Sequence, residues 1–492
     1  MQFNSSVHAP TMKIRKKLEL NSVFQTGNII FCLLLLILYI KIGDNEYINV
    51  RSIWLFLLMG IQNSVFLLYE KKRRDPFIII LIYINLFFYL LRGITLILVP
   101  WSITFLRYSL GQNDLNNSLL FIVLANLALF CGIQLGNFFK KKKESTQENY
   151  LLSNPAFIIL FMLTIIVTNT FGLMGLGLFQ NITRILSGVF LNIFILIFLT
   201  IIYLVTNYDT LKPYHRVLLY SVIILYLISI SLIGSRSGVL SILQFLLFSL
   251  LAFREKISLS LKSLLYGIGF GIVAIFLFFF STFIRTTGYG TETKITLDRI
   301  NAAKEFNVDI PDLEIIIRPL TDRLGFLDYA ADLISNGKNY NKIINHRYYL
   351  KSIIDNGITP GFNIFDNPKA SQALRYTYTG ISNVARHSDI QEEYNSDMFT
   401  MYGEFYILFG GYKSLIVIFI AALFFKTLYL SVNFRDKFIY IAMRSIILLI
   451  FCNWINSFGF DWMIIELISI ILTVFFFRMI LLRKRQTIGL NQ

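Results

Sequence analysis

The sequence IRTTGYGTETKITLDRI, residues 284–300, opens the one long polar segment of a 492-residue chain that is otherwise almost continuously apolar. The segment runs to Tyr402 and ends in MYGEF, residues 401–405, where apolar sequence resumes. It carries seven arginines, two of the four histidines and fifteen carboxylates. Because such side chains do most acid–base and anion-binding chemistry, we expect any catalytic site to lie here.

The composition of the chain excludes a soluble globular protein. Its residues are 55% hydrophobic and 16% aromatic, and its mean hydropathy is +0.63, which is more apolar surface than a soluble core can hide. The formal charge of +16 does not indicate nucleic-acid binding, because the basic residues stand in short clusters between apolar runs. Cys32, Cys131 and Cys452 all lie in apolar runs, so no disulfide framework or thiolate metal site is expected.

Apolar runs long enough to cross a bilayer as helices recur along the chain. A span needs about 20 residues, and the sequence offers about twelve such runs. We therefore predict an all-α polytopic membrane protein with one large external loop. The predicted spans are residues 28–42, 52–69, 76–99, 115–138, 155–173, 188–206, 215–233, 238–253, 263–283, 403–425, 438–455 and 459–480.

Clusters of Lys and Arg in the short loops predict the orientation. With these spans, every cluster falls on one side of the membrane, which is then the cytoplasm, with both termini. The clusters are Lys13 to Lys17, Lys71 to Arg74, Lys140 to Lys143, Arg254 to Lys262, Arg435 to Lys437 and Arg483 to Arg485. The chain divides into a bundle of about nine helices over 1–283, the external loop over 284–402 and about three helices over 403–492.

Within the loop, apolar residues recur at helical spacing between Thr321, a suitable N-cap, and Gly337, a suitable terminator. They are Leu320, Leu324, Leu327, Ala331 and Ile334. We predict an amphipathic helix over 321–336 that lies on the membrane face or over a cavity. The part from 339 to 400 indicates an irregular lid with short helices. Its tyrosines suit either sugar stacking or interfacial anchoring; they are Tyr348, Tyr349, Tyr376 and Tyr378.

Dispersed arginines are the candidates for binding an anionic group. The loop has thirteen Lys and Arg against fifteen Asp and Glu, so its sequence does not indicate a polyanion-binding surface. A guanidinium matches phosphate and stays charged when partly desolvated. The candidates for diphosphate or glycan binding are Arg236, Arg285, Arg318, Arg323, Arg375 and Arg386. Arg236 lies between two apolar runs, where a snorkelling surface arginine is the alternative. Arg92, inside the third predicted span, suits either such a contact or a carboxylate partner.

Two residues are candidate general bases. Glu404 begins the tenth predicted span and suits proton abstraction from a sugar hydroxyl, or a helix N-terminal position favoured by the macrodipole. His387, in RHSD, residues 386–389, is the second candidate, although a lone loop histidine is more often a surface residue. Asp44, Glu46 and Asp461 are further carboxylates without an assigned role. The sequence has no P-loop, no H-E-x-x-H and no D-x-D in the loop, so we expect neither metal nor cofactor.

Three stretches together resemble the Wzy-type O-antigen polymerases, the oligosaccharide repeat unit polymerases. They are GSRSG at 234–238, Arg318 and Arg323 with Leu324, and GEFY at 403–406 followed by Phe409-Gly410. The resemblance implies a bacterial inner-membrane protein with a fold similar to the metal-independent glycosyltransferases of the GT-C type. It also implies transfer of a growing glycan from undecaprenyl diphosphate to a lipid-linked repeat unit, for O-antigen or capsule.

The resemblance implies roles for individual residues as well. Arg236, Arg318 and Arg323 would contact the diphosphate or the acceptor, Glu404 would act as acid or base, and Arg285 is added for its position near the membrane. A polysaccharide chain-length regulator would be a partner. Two alternatives stay open: an O-antigen ligase, to which the pair Arg386-His387 would be suited, and a lipid-linked oligosaccharide flippase, which would not need so long an external loop.

Overall fold

The protein is represented by a computed structural model. The described residues are 18–73, 75–100, 109–139, 150–152, 163, 164, 166, 193–207, 211–232, 236–253, 258, 259, 269, 273, 276, 277, 325–355, 364, 365, 367, 369, 370, 373, 374, 400–434, 437–456, 459–461, 463, 467, 471 and 482–484.

The described part of the chain is helical apart from two short strand pairs. The helices are α1 (Leu20–Ile42), α2 (Val50–Arg73), α3 (Pro76–Ile84), α4 (Leu91–Leu98), α5 (Gln112–Gly136), α6 (Ile193–Asn207), α7 (Pro213–Leu232), α8 (Arg236–Phe253), α9 (Phe326–Ser335), α10 (Gly337–Asn341), α11 (His346–Ile353), α12 (Met401–Phe409), α13 (Ser414–Ser431) and α14 (Lys437–Asn456). A π-helical turn, Asn85–Leu90, joins α3 to α4, and 3-10 turns cover Asn137–Phe139 and Gly411–Lys413.

Six of the described helical segments are long and apolar enough to cross a membrane. They are Asn21–Ile42, Val50–Glu70, Pro76–Leu98, Gln112–Phe139, Gly411–Ser431 and Lys437–Asn456. The prediction of a helical membrane protein is confirmed to this extent. Helices α6, α7 and α8 coincide with the predicted spans at 188–206, 215–233 and 238–253. The total of twelve and the GT-C-like arrangement remain predictions.

Polar contacts define two ends of the bundle. At the first, which we call the Asp75 end, Asp75 caps α3, binds Lys426 Nζ at 2.8 Å and accepts from Asn137 Nδ2 at 3.1 Å. At the other, the Gln112 end, Asn45 Nδ2 donates to Leu96 O at 3.0 Å and Gln112 contacts the 45–49 turn. Three basic clusters adjoin the Asp75 end in sequence, in keeping with a one-sided distribution of positive charge.

Two short strand pairs join segments that are distant in sequence. Strand β1 (Leu18–Glu19) pairs with β3 (Ser258–Leu259), and β2 (Tyr150–Leu152) pairs with β4 (Leu482–Lys484), both antiparallel. Each of the four strands adjoins or contains one of the Lys/Arg clusters. Members of each pair therefore lie at one level, as the predicted orientation requires.

Asparagines link the helices near the middle of the bundle. Tyr402 OH donates to Asn126 Oδ1 at 2.7 Å, Asn126 to Asn85 at 2.9 Å, Asn85 to Asn63 at 2.8 Å and Asn63 to Asn28 at 3.1 Å. All four asparagine side chains are buried. We call this chain of bonds the asparagine ladder. Because an unpaired amide in an apolar interior is costly, the ladder fixes the depth at which α1, α2, the π turn, α5 and α12 meet.

Two glycines bring α5 and α13 into close contact. A Cβ on Gly132 would lie 2.4 Å from Phe419 O, and one on Gly136 would lie 2.5 Å from Lys426 Cγ. This G-x-x-x-G spacing places both glycines on one helix face, where small residues allow backbones to approach. Helices α5 and α13 therefore run side by side toward the Asp75 end.

Helix α12 runs the opposite way and does not span the bundle. Tyr402 at its start contacts Asn126 in the middle of α5, and Tyr406 packs edge-on to Phe121, closer to the Gln112 end. Gly410 and Gly411 then adopt φ angles of 74° and 73°, and the chain turns back into α13. The predicted span 403–425 is corrected accordingly, since the spanning helix is Gly411–Ser431 and a short re-entrant helix precedes it.

The predicted amphipathic helix of the loop is present as α9, but it is buried. Every residue of α9 except Tyr329 and Ser335 is buried, and the helix packs against α5 and α12. A Cβ on Gly403 would lie 2.5 Å from Leu333 Cδ1, so the α9–α12 contact depends on that glycine. The expectation that this helix lies on the membrane face is therefore wrong. The helix ends at Asn336, and Gly337 begins α10 instead of terminating α9.

Candidate functional site

Glu404 lies at the meeting point of the loop and the membrane helices. It is in the first turn of α12, which Thr400 caps by accepting from Gly403 N at 3.3 Å. Its side chain is fully buried. Three donors reach it: Tyr349 OH on α11, Trp454 Nε1 on α14 at 3.1 Å and the backbone N of Phe460 at 2.9 Å. One carboxyl group therefore joins four separate segments of the chain.

Asp461 holds the same loop helix from a second direction. Asp461 is fully buried, and its Oδ2 accepts from Ser352 Oγ at 2.6 Å and from the backbone N of Ala370 at 2.8 Å. Tyr349 and Ser352 are three residues apart on α11, so they share one face of that helix. We call Glu404 and Asp461 the acidic anchor, because together they bind this face of α11 to the bundle.

The phenol of Tyr349 is a donor in this site. Burial, and then the negative charge of Glu404, raises the pKa of Tyr349 well above its ordinary value. The hydroxyl therefore keeps its proton and donates it in a hydrogen bond to Glu404 Oε1. Since the ring is buried, Tyr349 serves neither as a sugar-stacking surface nor as an interfacial anchor in this structure.

A buried ion pair joins the loop to the third span. Arg92 Nε donates to Asp328 Oδ1 at 3.1 Å, and Nη2 binds Asp328 Oδ2. Both side chains are 0% exposed. The bidentate geometry satisfies a guanidinium that would otherwise be costly at this depth. Of the two roles considered for Arg92, the carboxylate partner is the one found.

The remaining described carboxylates of the loop are also internal. Asp332 accepts from Tyr340 OH and from Asn336 Nδ2 at 2.8 Å. Asp355 accepts from the backbone N of Phe365 and of Asn367, each at 2.9 Å. Both are buried. The described loop carboxylates thus hold the loop together. Asp44 and Glu46, in contrast, are exposed at the Gln112 end.

Most of the predicted arginine contacts lie outside the described residues. These are Arg285, Arg318, Arg323, Arg375 and Arg386, and the second candidate base, His387, lies there too. Arg236 is the first residue of α8, two residues before the predicted start of that span at 238, and its side chain is likewise outside the described part. Whether these arginines converge on Glu404 remains a prediction.

The contacts that define the site could not be predicted from the sequence. Trp454 and Asp461 come from the C-terminal helices, while Tyr349 and Ser352 come from the loop, and no spacing rule connects them. A usable signal was present for the asparagine ladder, since four asparagines stand inside apolar runs where unpaired amides are disfavoured.

The arrangement can position groups and retains limited capacity for acid–base chemistry. Glu404 Oε1 accepts from two donors and Oε2 accepts from Trp454, so Oε2 keeps one free lone pair. Among the described residues, no group of three or more His, Cys, Asp or Glu could hold a metal ion.

Comparisons of the chain with protein-family models, with curated proteins and with solved structures find no match. The fold and the acidic anchor therefore have to be interpreted from this chain's own residues.

Proposed function

We propose that this protein is a membrane glycosyltransferase that polymerises lipid-linked oligosaccharide repeat units at the external face of a bacterial inner membrane. The observation that carries the proposal is the acidic anchor, in which the polar loop binds the buried carboxyl groups of Glu404 and Asp461, and Trp454 of α14 binds that of Glu404 as well. A substrate with a membrane-bound lipid and a water-soluble glycan needs a site where polar loop and bundle meet. A loop packed at membrane depth supplies that meeting point.

In the proposed reaction, a hydroxyl oxygen of the incoming repeat unit attacks the anomeric carbon of the growing glycan's reducing-end sugar. The bond from that carbon to the diphosphate oxygen breaks, and undecaprenyl diphosphate leaves with the bonding electrons. The hydroxyl proton passes to a base. Arg236, Arg318 and Arg323 would stabilise the leaving diphosphate, since charge develops there in the transition state.

The three donors around Glu404 favour a positioning role for this residue. A carboxylate that already accepts hydrogen bonds on both oxygens orients its donors, and here the donors include the loop helix α11 and α14. Its role as general base remains a prediction beside that of His387. The variant Glu404→Gln distinguishes the positioning role from the role as general base. A glutamine can still accept hydrogen bonds, but it cannot take a proton.

Rigid contacts argue for an enzyme over a flippase. Alternating access moves one half of a bundle against the other around a central site. The asparagine ladder and the Arg92–Asp328 pair instead fix α1, α2, α5, α9 and α12 at one depth. These contacts build the loop helix α9 into the bundle, which favours a site that the loop and the bundle form together.

Deletion of the gene, followed by analysis of lipid-linked and surface glycans, tests the proposal. We expect surface glycan reduced to a single repeat unit. Lipid-linked polymer accumulating outside would indicate a ligase, and single units trapped on the cytoplasmic side would indicate a flippase; either result would overturn the proposal.

A further inference from the structure

In the described part of the loop, the carboxylates are buried and most of the cations are exposed. Its three carboxylates, Asp328, Asp332 and Asp355, are at most 1% exposed. Its four cations over 337–353 lie on the outside: Lys338, Lys342 and Arg347 are exposed and Lys351 is half-buried. We call these four cations the basic face. A loop whose sequence is nearly neutral thus presents positive charge over 337–353.

The buried acids do not neutralise the basic face. Asp328 is paired with Arg92, Asp332 binds Tyr340 and Asn336, and Asp355 binds backbone N–H groups. Within the described ranges, no ion pair joins a cation of the basic face to a carboxylate. Among the described residues, the positive charge of the basic face is therefore uncompensated.

Apolar side chains are interleaved with these cations. Arg347, Leu350 and Lys351 lie at helical spacing on one side of α11, opposite the Tyr349 and Ser352 face that the acidic anchor holds. Leu350 is 63% exposed. Lys351 Nζ lies 5.3 Å from the ring centroid of Phe365, which is itself 42% exposed. Basic and apolar side chains in this mixture are typical of surfaces that lie in the headgroup region of a bilayer.

The basic face also lies at the Gln112 end of the bundle, where lipid headgroups are expected. Asn341 Nδ2 donates to Ile407 O at 2.7 Å, and the His346 ring packs 5.3 Å from that of Phe409, beside the turn that begins α13. From that turn, α13 exposes apolar side chains along its length: Ile416, Ile420 and Phe424. Such a surface faces lipid in a membrane helix, so its Gln112 end lies near the lipid phosphates.

We propose that the basic face binds the headgroups of anionic phospholipids in the leaflet at the Gln112 end, with Leu350 and Phe365 at the acyl boundary. The acidic anchor holds one side of α11 to the bundle, and the phospholipids hold the other. The loop is thereby clamped between protein and membrane. This proposal does not depend on the glycosyltransferase activity.

Hydrogen–deuterium exchange of the full-length protein in nanodiscs tests it. One set of discs contains phosphatidylcholine alone, and the other contains equal parts of phosphatidylcholine and phosphatidylglycerol. We expect amides over 337–353 to exchange at least about fivefold more slowly with phosphatidylglycerol, because even a single cation near an anionic surface contributes roughly a factor of five. Salt should remove the difference by screening. Equal exchange in both discs would overturn the proposal.

A matched pair of variants locates the effect. Lys342→Gln/Arg347→Gln should lose most of the dependence on phosphatidylglycerol. Lys41→Gln/Arg51→Gln removes the same two residue types from exposed positions at the Gln112 end and should keep it. Exchange over 437–456 reports whether each variant is folded. If Lys342→Gln/Arg347→Gln still exchanges more slowly with phosphatidylglycerol, the basic face does not bind the headgroups.

A third disc separates phospholipid from substrate. Undecaprenyl diphosphate is added to discs of phosphatidylcholine alone. Protection of 337–353 by this lipid, without protection by phosphatidylglycerol, would assign the basic face to the diphosphate of a lipid-linked glycan and overturn the phospholipid proposal. Protection by phosphatidylglycerol alone would support it.

Discussion

Tyr349 of the loop donates a hydrogen bond to Glu404 of α12, 55 residues further along the chain. Both side chains are buried, and Trp454 and Phe460 donate to the same carboxylate. The contact links the loop to the membrane bundle at the residue that the sequence marked as the candidate base. Removing this contact should therefore loosen the loop while the membrane helices stay folded.

Replacing Tyr349 with Phe removes one donor to a buried carboxylate without removing the ring. We expect a loss of about 1–3 kcal/mol of stability, since the variant leaves a buried acceptor of Glu404 without its donor. Limited proteolysis between 325 and 400 measures this loss locally. Tyr412→Phe, at a side chain that is 50% exposed, is the matched control and should behave as wild type. Equal protease sensitivity in both variants would contradict the anchor.

Glu404→Gln distinguishes positioning from proton transfer. An amide still accepts from Tyr349 and Phe460 through its oxygen, but its NH₂ group faces the Trp454 donor. If Glu404 positions the loop, we expect Glu404→Gln to lose part of the activity and part of the protection of the loop, in similar proportion. Complete loss of activity with a fully protected loop would assign Glu404 as the base and reject the positioning role.

Breaking the Arg92–Asp328 pair should be costly. Arg92→Met leaves a buried carboxylate without its cation, and we expect a loss of about 3–5 kcal/mol. The double variant Arg92→Met/Asp328→Leu should recover much of that loss, because no unpaired charge remains. Arg51→Met, at an exposed arginine, is the control. Thermal unfolding in detergent compares these variants with wild type and with the single variant Asp328→Leu. Strictly additive effects of the two single substitutions would contradict a direct pair.

Asn85 occupies the middle of the asparagine ladder. Asn85→Leu strands a donor on Asn126 and an acceptor on Asn63, so we expect a loss of about 1–3 kcal/mol in thermal unfolding. Ser445→Ala removes a buried hydroxyl that bonds to its own helix at Ile441 O, and it should cost well under half as much. A larger effect at Ser445 than at Asn85 would show that the ladder contributes little.

Glycine contacts between α5 and α13 give a steric test. Gly132→Ala places a methyl group 2.4 Å from Phe419 O, whereas a Cβ on Gly27 meets nothing within 4 Å. We expect Gly132→Ala to destabilise by about 1–3 kcal/mol through overpacking, and Gly27→Ala to be neutral or stabilising. Similar melting temperatures for the two variants would contradict the close approach of these helices.

The sequence was sufficient for features set by local hydropathy. Apolar runs predicted helices such as α8, which begins at Arg236 where the predicted span began at 238. The predicted position of the loop helix was wrong, because tertiary contacts determine it. An apolar stripe on α9 suggested a surface helix, but Asp328 and Asp332 on its polar side find buried partners, so the whole helix enters the bundle. The consecutive glycines 410 and 411 signalled the re-entrant turn, which hydropathy alone extended into a span.

The polymerase proposal is tested most directly with purified protein and its own substrate. Lipid-linked single repeat units are extracted from the deletion strain and incubated with the full-length protein in nanodiscs, with a chelator present throughout. We expect a series of glycans whose lengths are whole multiples of the unit, with undecaprenyl diphosphate released at each addition. Units that remain single while the protein stays folded would contradict it.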